Sequence, residues 1–193
     1  SNQTFSGWGG NFHWSGEDID DDGNPLGVGS DGYIVFATVD VSAFAGGTMT
    51  IDLTAAAEVS SSGTMETDDG FAIEYAYDAN IATGANSVGV VPSAANVSTG
   101  TYTIGGAFYG DNSNPSNRVT RQDTNLSGTG NGPTLSNTFS AYRFTVAIPS
   151  GVSNASFRIR GFTNGGGEVV AFDDISIAAI VAVTTPVSVS MSS

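Results

Sequence analysis

Short runs that alternate between apolar and polar residues recur along the chain. Such alternation places every second side chain on one face of a β-strand. Seven runs predict strands, at residues 33–41, 48–55, 71–77, 100–109, 139–148, 155–162 and 169–177. The stretches between them are rich in Gly, Asn, Asp and Ser, which is typical of tight turns. We therefore predict an all-β fold, an antiparallel jelly-roll β-sandwich with an extra C-terminal strand.

The C-terminal segment alternates for longer than one strand allows. Apolar side chains occupy odd positions over about 17 residues, at Ile175, Ile177, Ala179, Val181, Val183, Val187, Val189 and Met191. At about 3.3 Å per residue this segment would span roughly 56 Å, whereas a typical strand spans about 17–20 Å. We therefore divide the chain into a sandwich at residues 1–178 and an extension at residues 179–193.

Three interpretations of this extension are open. The chain bends near Ala178 or Pro186 and folds back, or the extension is a tail or linker, or the part after Ile180 completes the sheet of a neighbouring subunit. The last arrangement is donor-strand complementation, a form of β-augmentation. The segment carries no charge, which disfavours a solvated tail. As a donor strand it would place Val181, Val183, Val187, Val189 and Met191 in a subunit interface.

Charge and length limit the partners. The chain has 193 residues, which suits one domain. It has 19 acidic residues against five arginines and no lysine, a net charge of -14. The negative charge repels phosphate backbones and anionic headgroups, so we do not expect nucleic-acid binding. No run of about 18 apolar residues occurs, so we do not expect membrane insertion. Cations are better candidate partners.

The chain contains no cysteine, so disulfides cannot stabilise it and bound Ca²⁺ is the candidate substitute. It begins Ser1-Asn2-Gln3, as a chain would after removal of a signal peptide, although a tag remnant leaves a similar start. We expect a secreted protein, at an extracellular or cell-surface location.

Two acidic clusters are candidate Ca²⁺ sites. In the first, Asp18, Asp20 and Asp22 precede Gly23, with Glu17 beside them, so alternate carboxylates can converge on one cation. A helical calcium loop would need Glu where Gly29 stands, so that motif is excluded. The competing interpretation is a solvated acidic turn.

The second cluster, Asp173 and Asp174, lies within an apolar strand. A carboxylate is costly there unless a cation or an arginine pairs with it. Arg158 and Arg160, two apart on one strand, are the candidate arginine partners, so an ion pair and a metal site remain open.

Two motifs carry a family resemblance. The segment Ala171-Phe172-Asp173-Asp174-Ile175-Ser176-Ile177 resembles the closing strand of extracellular jelly-roll domains of the MAM and carbohydrate-binding-module type, and residues 68–75 are similar to their middle strand. The resemblance implies a structural Ca²⁺ held by Asp174, with Asp173 and an N-terminal acid such as Glu17. The cysteines of MAM domains are absent, which disfavours that subfamily.

Catalytic chemistry has little support. His13 is the only histidine and cysteine is absent, so a nucleophilic triad or a histidine-rich zinc site has few residues to use. A glycosidase needs two carboxylates, which the chain has, but it lacks the tight Glu-x-Asp-x-x-Glu spacing of jelly-roll glucanases. We expect no enzymatic activity. Trp8 and Trp14 are candidate sugar contacts, and the sequons at Asn2, Asn96, Asn125 and Asn154 are candidate glycan attachment sites.

These observations predict a Ca²⁺-stabilised subunit of an extracellular filament that self-assembles head to tail by C-terminal donor-strand insertion. The alternative is a Ca²⁺-stabilised carbohydrate-binding or adhesion module of a secreted multidomain protein.

Overall fold

A computed structural model describes residues 5–7, 13–16, 32–57, 69–81, 102–111, 119–127, 130–163 and 169–181. Within these ranges the chain forms β-strands and two short 3-10 turns, Ser42–Phe44 and Asp78–Asn80. The strands are β1 (Trp14–Gly16), β2 (Gly32–Val35), β3 (Val39–Asp40), β4 (Thr48–Ala57), β5 (Gly70–Tyr77), β6 (Thr103–Asp111), β7 (Val119–Asp123), β8 (Ser140–Ala147), β9 (Asn154–Phe162) and β10 (Val170–Ile180).

The strands form two antiparallel sheets that pack face to face. One sheet has the order β1-β10-β4-β8. The other has the order β2-β9-β5-β6-β7, and β3 also pairs with β9. The nested pairs β1 with β10, β2 with β9, β4 with β8 and β5 with β6 give the jelly-roll connectivity. The predicted all-β sandwich is confirmed.

Period-two patterning explains which side chains enter the core. In β4, Met49, Ile51 and Leu53 are buried between the sheets, while Thr50 and Asp52 alternate with them on the outer face. Aromatic rings fill much of the space between the sheets: the Phe71 and Phe108 rings stack with centroids 4.6 Å apart, and Phe144 meets Phe108 edge-on at 5.8 Å. Burial of each such side chain contributes about 1.5–3 kcal/mol.

All seven predicted runs contain strands, but the first is divided. Residues 33–41 hold the end of β2 and all of β3, with Phe36 between them still donating its N–H to Phe157 O at 2.9 Å. The runs did not include β1 or β7. The final strand extends to Ile180, so the first two residues of the predicted extension pair with β4.

A β-bulge interrupts β10 near its middle. Asp173 lies opposite Thr54, and the next paired residue, Ser176, lies opposite Asp52. Asp174 and Ile175 therefore lie opposite a single residue of β4. Asp174 has a left-handed φ of 51°. Before the bulge the core-facing residue is the even-numbered Phe172. After it, the odd-numbered Ile177 lies opposite the buried Ile51 and faces the same side.

Candidate functional site

The second half of β10 has one edge without a strand partner in the described part of the chain. β4 pairs with β10 as far as Ile180, whereas β1 pairs only with Val170, Ala171 and Phe172. We call the stretch from Ser176 to Ile180 the open edge. Unpaired N–H and C=O groups on such an edge are a template for another strand.

The open edge is apolar and exposed. Ile177 is 36% exposed, Ile180 is 53% exposed and Val181, just beyond the strand, is 54% exposed. The stretch contains neither charge nor proline. Natural edge strands are usually protected from pairing by charged residues, proline or a covering element. An exposed apolar edge that has neither charge nor proline, and that no other strand of the described ranges covers, is a candidate interaction site.

Beside the bulge, the outer face of the same sheet carries an open cleft of about 510 Å³. Its lining comes from β4, β8 and the bulge: Asp52, Leu53, Thr54, Ala141, Tyr142, Arg143 and Asp174. Arg143 donates to both carboxylate oxygens of Asp52, from Nε at 2.6 Å and from Nη2 at 2.7 Å. These hydrogen bonds lower the pKa of Asp52 below its ordinary value. Burial raises the pKa of the Tyr142 hydroxyl.

Among the described residues, two polar atoms next to this cleft have no hydrogen-bond partner. They are Asp173 Oδ2 and Thr54 Oγ1, which are both buried and belong to residues directly opposite each other on β10 and β4. Leaving a buried polar group unsatisfied costs about 1–3 kcal/mol, and more for a charged group. Oxygen donors of this kind suit a hard cation such as Ca²⁺. Within the described ranges, no three Asp, Glu, His or Cys side chains group closely enough to hold a metal ion.

The arginines considered as partners for Asp173 and Asp174 lie on the other sheet. Arg158 Nε is 2.5 Å from Glu74 Oε2, and Arg160 Nε is 3.0 Å from Glu74 Oε1. These side chains lie on β9 and β5, with Glu74 only 6% exposed. Tyr102 completes this cluster, since its ring lies 4.0 Å from the Arg158 guanidinium carbon. The two arginines thus neutralise Glu74.

Other predicted site residues have varied surroundings. Trp14 is partly buried and stacks on Phe172 with ring centroids 4.5 Å apart. His13 meets the rings of Phe5 and Phe139 edge-on, at 5.7 and 5.3 Å. Asn125 and Asn154 are both exposed. The remaining predicted residues lie outside the described ranges: Asn2, Trp8, Glu17, Asp18, Asp20, Asp22, Asn96, Val183, Val187, Val189 and Met191.

No pattern in the sequence indicated the cleft. Asp52 and Arg143 face each other only because β4 and β8 pair in one register, which no local pattern indicates. For the open edge, the alternation of Ile177 and Ala179 did indicate an apolar strand. That alternation does not indicate that β1 would stop short of them.

Comparison with known proteins adds no family assignment: no family model matches the chain, and no curated protein matches it. The resemblance to MAM and carbohydrate-binding modules therefore remains a prediction. Within the described residues, no helix has the length and hydrophobicity to cross a bilayer.

Proposed function

We propose that this protein is a non-enzymatic, secreted structural subunit that polymerises into an extracellular filament. In this arrangement the C-terminal segment of one subunit adds as a strand to the open edge of β10 in the next. The observation that carries the proposal is the exposed, uncharged edge from Ser176 to Ile180, beside which the described residues place no strand.

The chain supplies a segment of suitable length and chemistry. Twelve residues, 182–193, follow Val181, and the open edge is five residues long. The segment is uncharged and alternates Val187, Val189 and Met191 with serines. We call the contact between this segment and the open edge of the next subunit the joint. Main-chain hydrogen bonds would supply affinity in the joint, and the alternate side chains would supply specificity. Because donor and acceptor are different surfaces of one subunit, the contact is heterologous and extends into a fibre.

Truncation after Val181 tests this function. The shortened protein should fold, because the described strands remain, but it should form no filaments in negative-stain electron micrographs and should elute as a monomer. Two full-length variants give a matched comparison. Val187→Asp should prevent assembly by placing a charge in the joint, whereas Ser188→Asp, on the other face of the segment, should still assemble. Filaments from the truncated protein would refute the proposal.

The proposal includes a structural Ca²⁺ ion held by Asp173 and Asp174 together with the N-terminal acids Glu17, Asp18, Asp20 and Asp22. Its support is the buried Asp173 Oδ2, which has no hydrogen-bond partner within the described ranges. Arg158 and Arg160, the predicted ion-pair partners of this aspartate, pair with Glu74 instead. A cation would offset the cost of burying the carboxylate.

Calcium should raise the melting temperature of chelator-treated protein. At a concentration 100 times the dissociation constant, binding adds about 2.7 kcal/mol to the free energy of unfolding. Asp173→Asn should abolish most of the rise, whereas Asp52→Asn, which alters a residue already paired with Arg143, should retain it. Magnesium at equal concentration controls for ionic strength. An unchanged melting temperature for the wild type, or an equal response from Asp173→Asn, would exclude this site.

The second candidate function is a carbohydrate-binding or adhesion module of a larger secreted protein. The cleft lined by Asp52, Arg143 and Asp174 favours it, since charged groups that converge in an open cleft can bind sugar hydroxyls. A module of this kind should be monomeric, should be retarded on a polysaccharide column and should be unaffected by removal of residues 182–193. The truncation experiment therefore also separates the two functions.

A further inference from the structure

The backbone direction of the open edge follows from hydrogen bonds two strands away. Ile148, immediately after β8, donates its N–H to Gly47 O and accepts from Gly46 N–H, both at 2.9 Å. Ile148 is buried, so the core-facing residues of β8 direct their backbone groups toward β4. In antiparallel sheets, successive residues direct these groups to alternate sides. The core-facing residues of β4 therefore bond to β8, and its outward-facing residues bond to β10.

The same alternation continues into β10. Thr50 faces outward and lies opposite Ala178, and its hydroxyl also donates to Ala178 O at 3.5 Å. Ser176, Ala178 and Ile180 thus direct their backbone groups toward β4. The core-facing Ile177 and Ala179 direct theirs to the open edge, where an added strand would bond to them.

Pro186 determines which residues of the C-terminal segment can form hydrogen bonds with the open edge. Pro186 has no N–H, so in a strand added at a sheet edge it belongs where the missing N–H would face solvent. The odd-numbered residues beside it then direct their N–H and C=O groups toward β10. These are the positions of Val187, Val189 and Met191.

The two constraints distinguish the possible strand directions. In an antiparallel pair, residues that bond to each other lie directly opposite and share a face. The valines would then lie beside Ile177 and Ala179 on the core side. In a parallel pair, a bonding residue lies opposite a residue whose backbone groups point away, which would place the valines on the outer face beside Ala178. Only the antiparallel arrangement buries the apolar residues.

We infer that residues 187–191 of a second copy of this chain add antiparallel to the open edge of β10, with Val187, Val189 and Met191 against the core and Ser188 and Ser190 outward. This inference rests on the proposed function and specifies its joint. The added strand would run in the same direction as β1, which is also antiparallel to β10. It would lie on the same side of β10 as β1 does, beyond the last β1 partner, Phe172. It covers Ile177, which faces the core yet is 36% exposed.

Engineered disulfides test the direction, and the absence of native cysteine keeps the background clean. Outward residues of the joint form non-hydrogen-bonded pairs, whose Cα atoms lie about 4.5 Å apart, within the range that a disulfide spans. Ala178→Cys is combined with Ser188→Cys or with Ser190→Cys, which cover the two registers that place apolar residues beside both Ile177 and Ala179. The matched controls combine Ala178→Cys with Val187→Cys or with Val189→Cys.

We expect a ladder of covalent oligomers on nonreducing gels from one of the two pairs that contain a serine position, which we call the even-numbered pairs. The two control pairs, which contain a valine position and which we call the odd-numbered pairs, should give none. Oligomers from an odd-numbered pair, or filaments that no pair cross-links, would overturn the inferred direction while leaving the filament in place. A disulfide confined to monomers would show that the segment folds back on its own subunit, which refutes the filament instead. Mixing the two single variants of whichever pair cross-links, Ala178→Cys with Ser188→Cys or with Ser190→Cys, should still give cross-linked dimers, since the joint is between chains.

Discussion

Gly70→Ala should strongly destabilise the fold, because a β-carbon at this position would collide with the backbone of the neighbouring strand. The added atom would lie 1.9 Å from Phe108 O, 2.9 Å from Phe108 C and 3.2 Å from Tyr109 Cα. Gly70 also has a φ of +150°, which side-chain-bearing residues rarely adopt. It opens β5, the central strand of its sheet, so the collision cannot be relieved without displacing β6.

We expect a loss of more than about 4–5 kcal/mol, a large part of the 5–15 kcal/mol that stabilises a typical domain. Gly151→Ala is the matched control, since Gly151 has a φ of +84° but no atom within 4 Å of the added carbon. That variant should lose only about 1–2 kcal/mol from backbone strain. Urea denaturation followed by circular dichroism measures both. Equal losses would show that φ, rather than the close approach of β6, accounts for the effect.

Glu74→Gln should cause the second large loss of stability, about 3–5 kcal/mol. The substitution keeps the shape of the side chain but removes the charge that pairs with Arg158 and Arg160. These arginine side chains are only 12% and 18% exposed, so water compensates little for the lost partner. Removing one member of a buried ion pair costs this much because the remaining charge stays buried.

Asp52→Asn is the control for Glu74→Gln, since it also removes a carboxylate from an arginine. The Arg143 and Asp52 side chains are 68% and 32% exposed, so solvent screens their interaction. The free energy of unfolding should therefore change little in that variant. Comparable losses from both substitutions, measured by urea denaturation, would contradict the role assigned to burial.

The sandwich was predictable because its long strands keep a clear period of two. The segment Thr48-Met49-Thr50-Ile51-Asp52-Leu53 alternates throughout, and the structure buries every second residue. β7 was not predictable in this way, since Val-Thr-Arg-Gln-Asp shows no apolar alternation and forms a strand by pairing with β6. β1 has three residues, too few to establish a period.

The candidate site was less predictable because it depends on strand order. Arg158, Arg160 and the pair Asp173-Asp174 are close in sequence, but β9 and β10 belong to different sheets. Glu74 is distant in sequence, yet β5 lies directly beside β9 and places it opposite Arg158. The bulge at Asp174 also has no counterpart in the sequence pattern, although it moves the core-facing positions of β10 from even to odd numbers.

The antiparallel direction of the added strand has a mechanical consequence. In such a pair the donor segment reaches the open edge near Ile180, the same end of β10 at which the acceptor's own C-terminal segment leaves. Tension in a fibre joined as we propose would therefore pull two neighbouring strands apart from one end and open their hydrogen bonds one after another. A parallel strand would instead load those bonds together in shear. The contact between subunits, rather than the ladder between β10 and β4, would thus limit the strength of the fibre, with resistance set by its rate of forced opening.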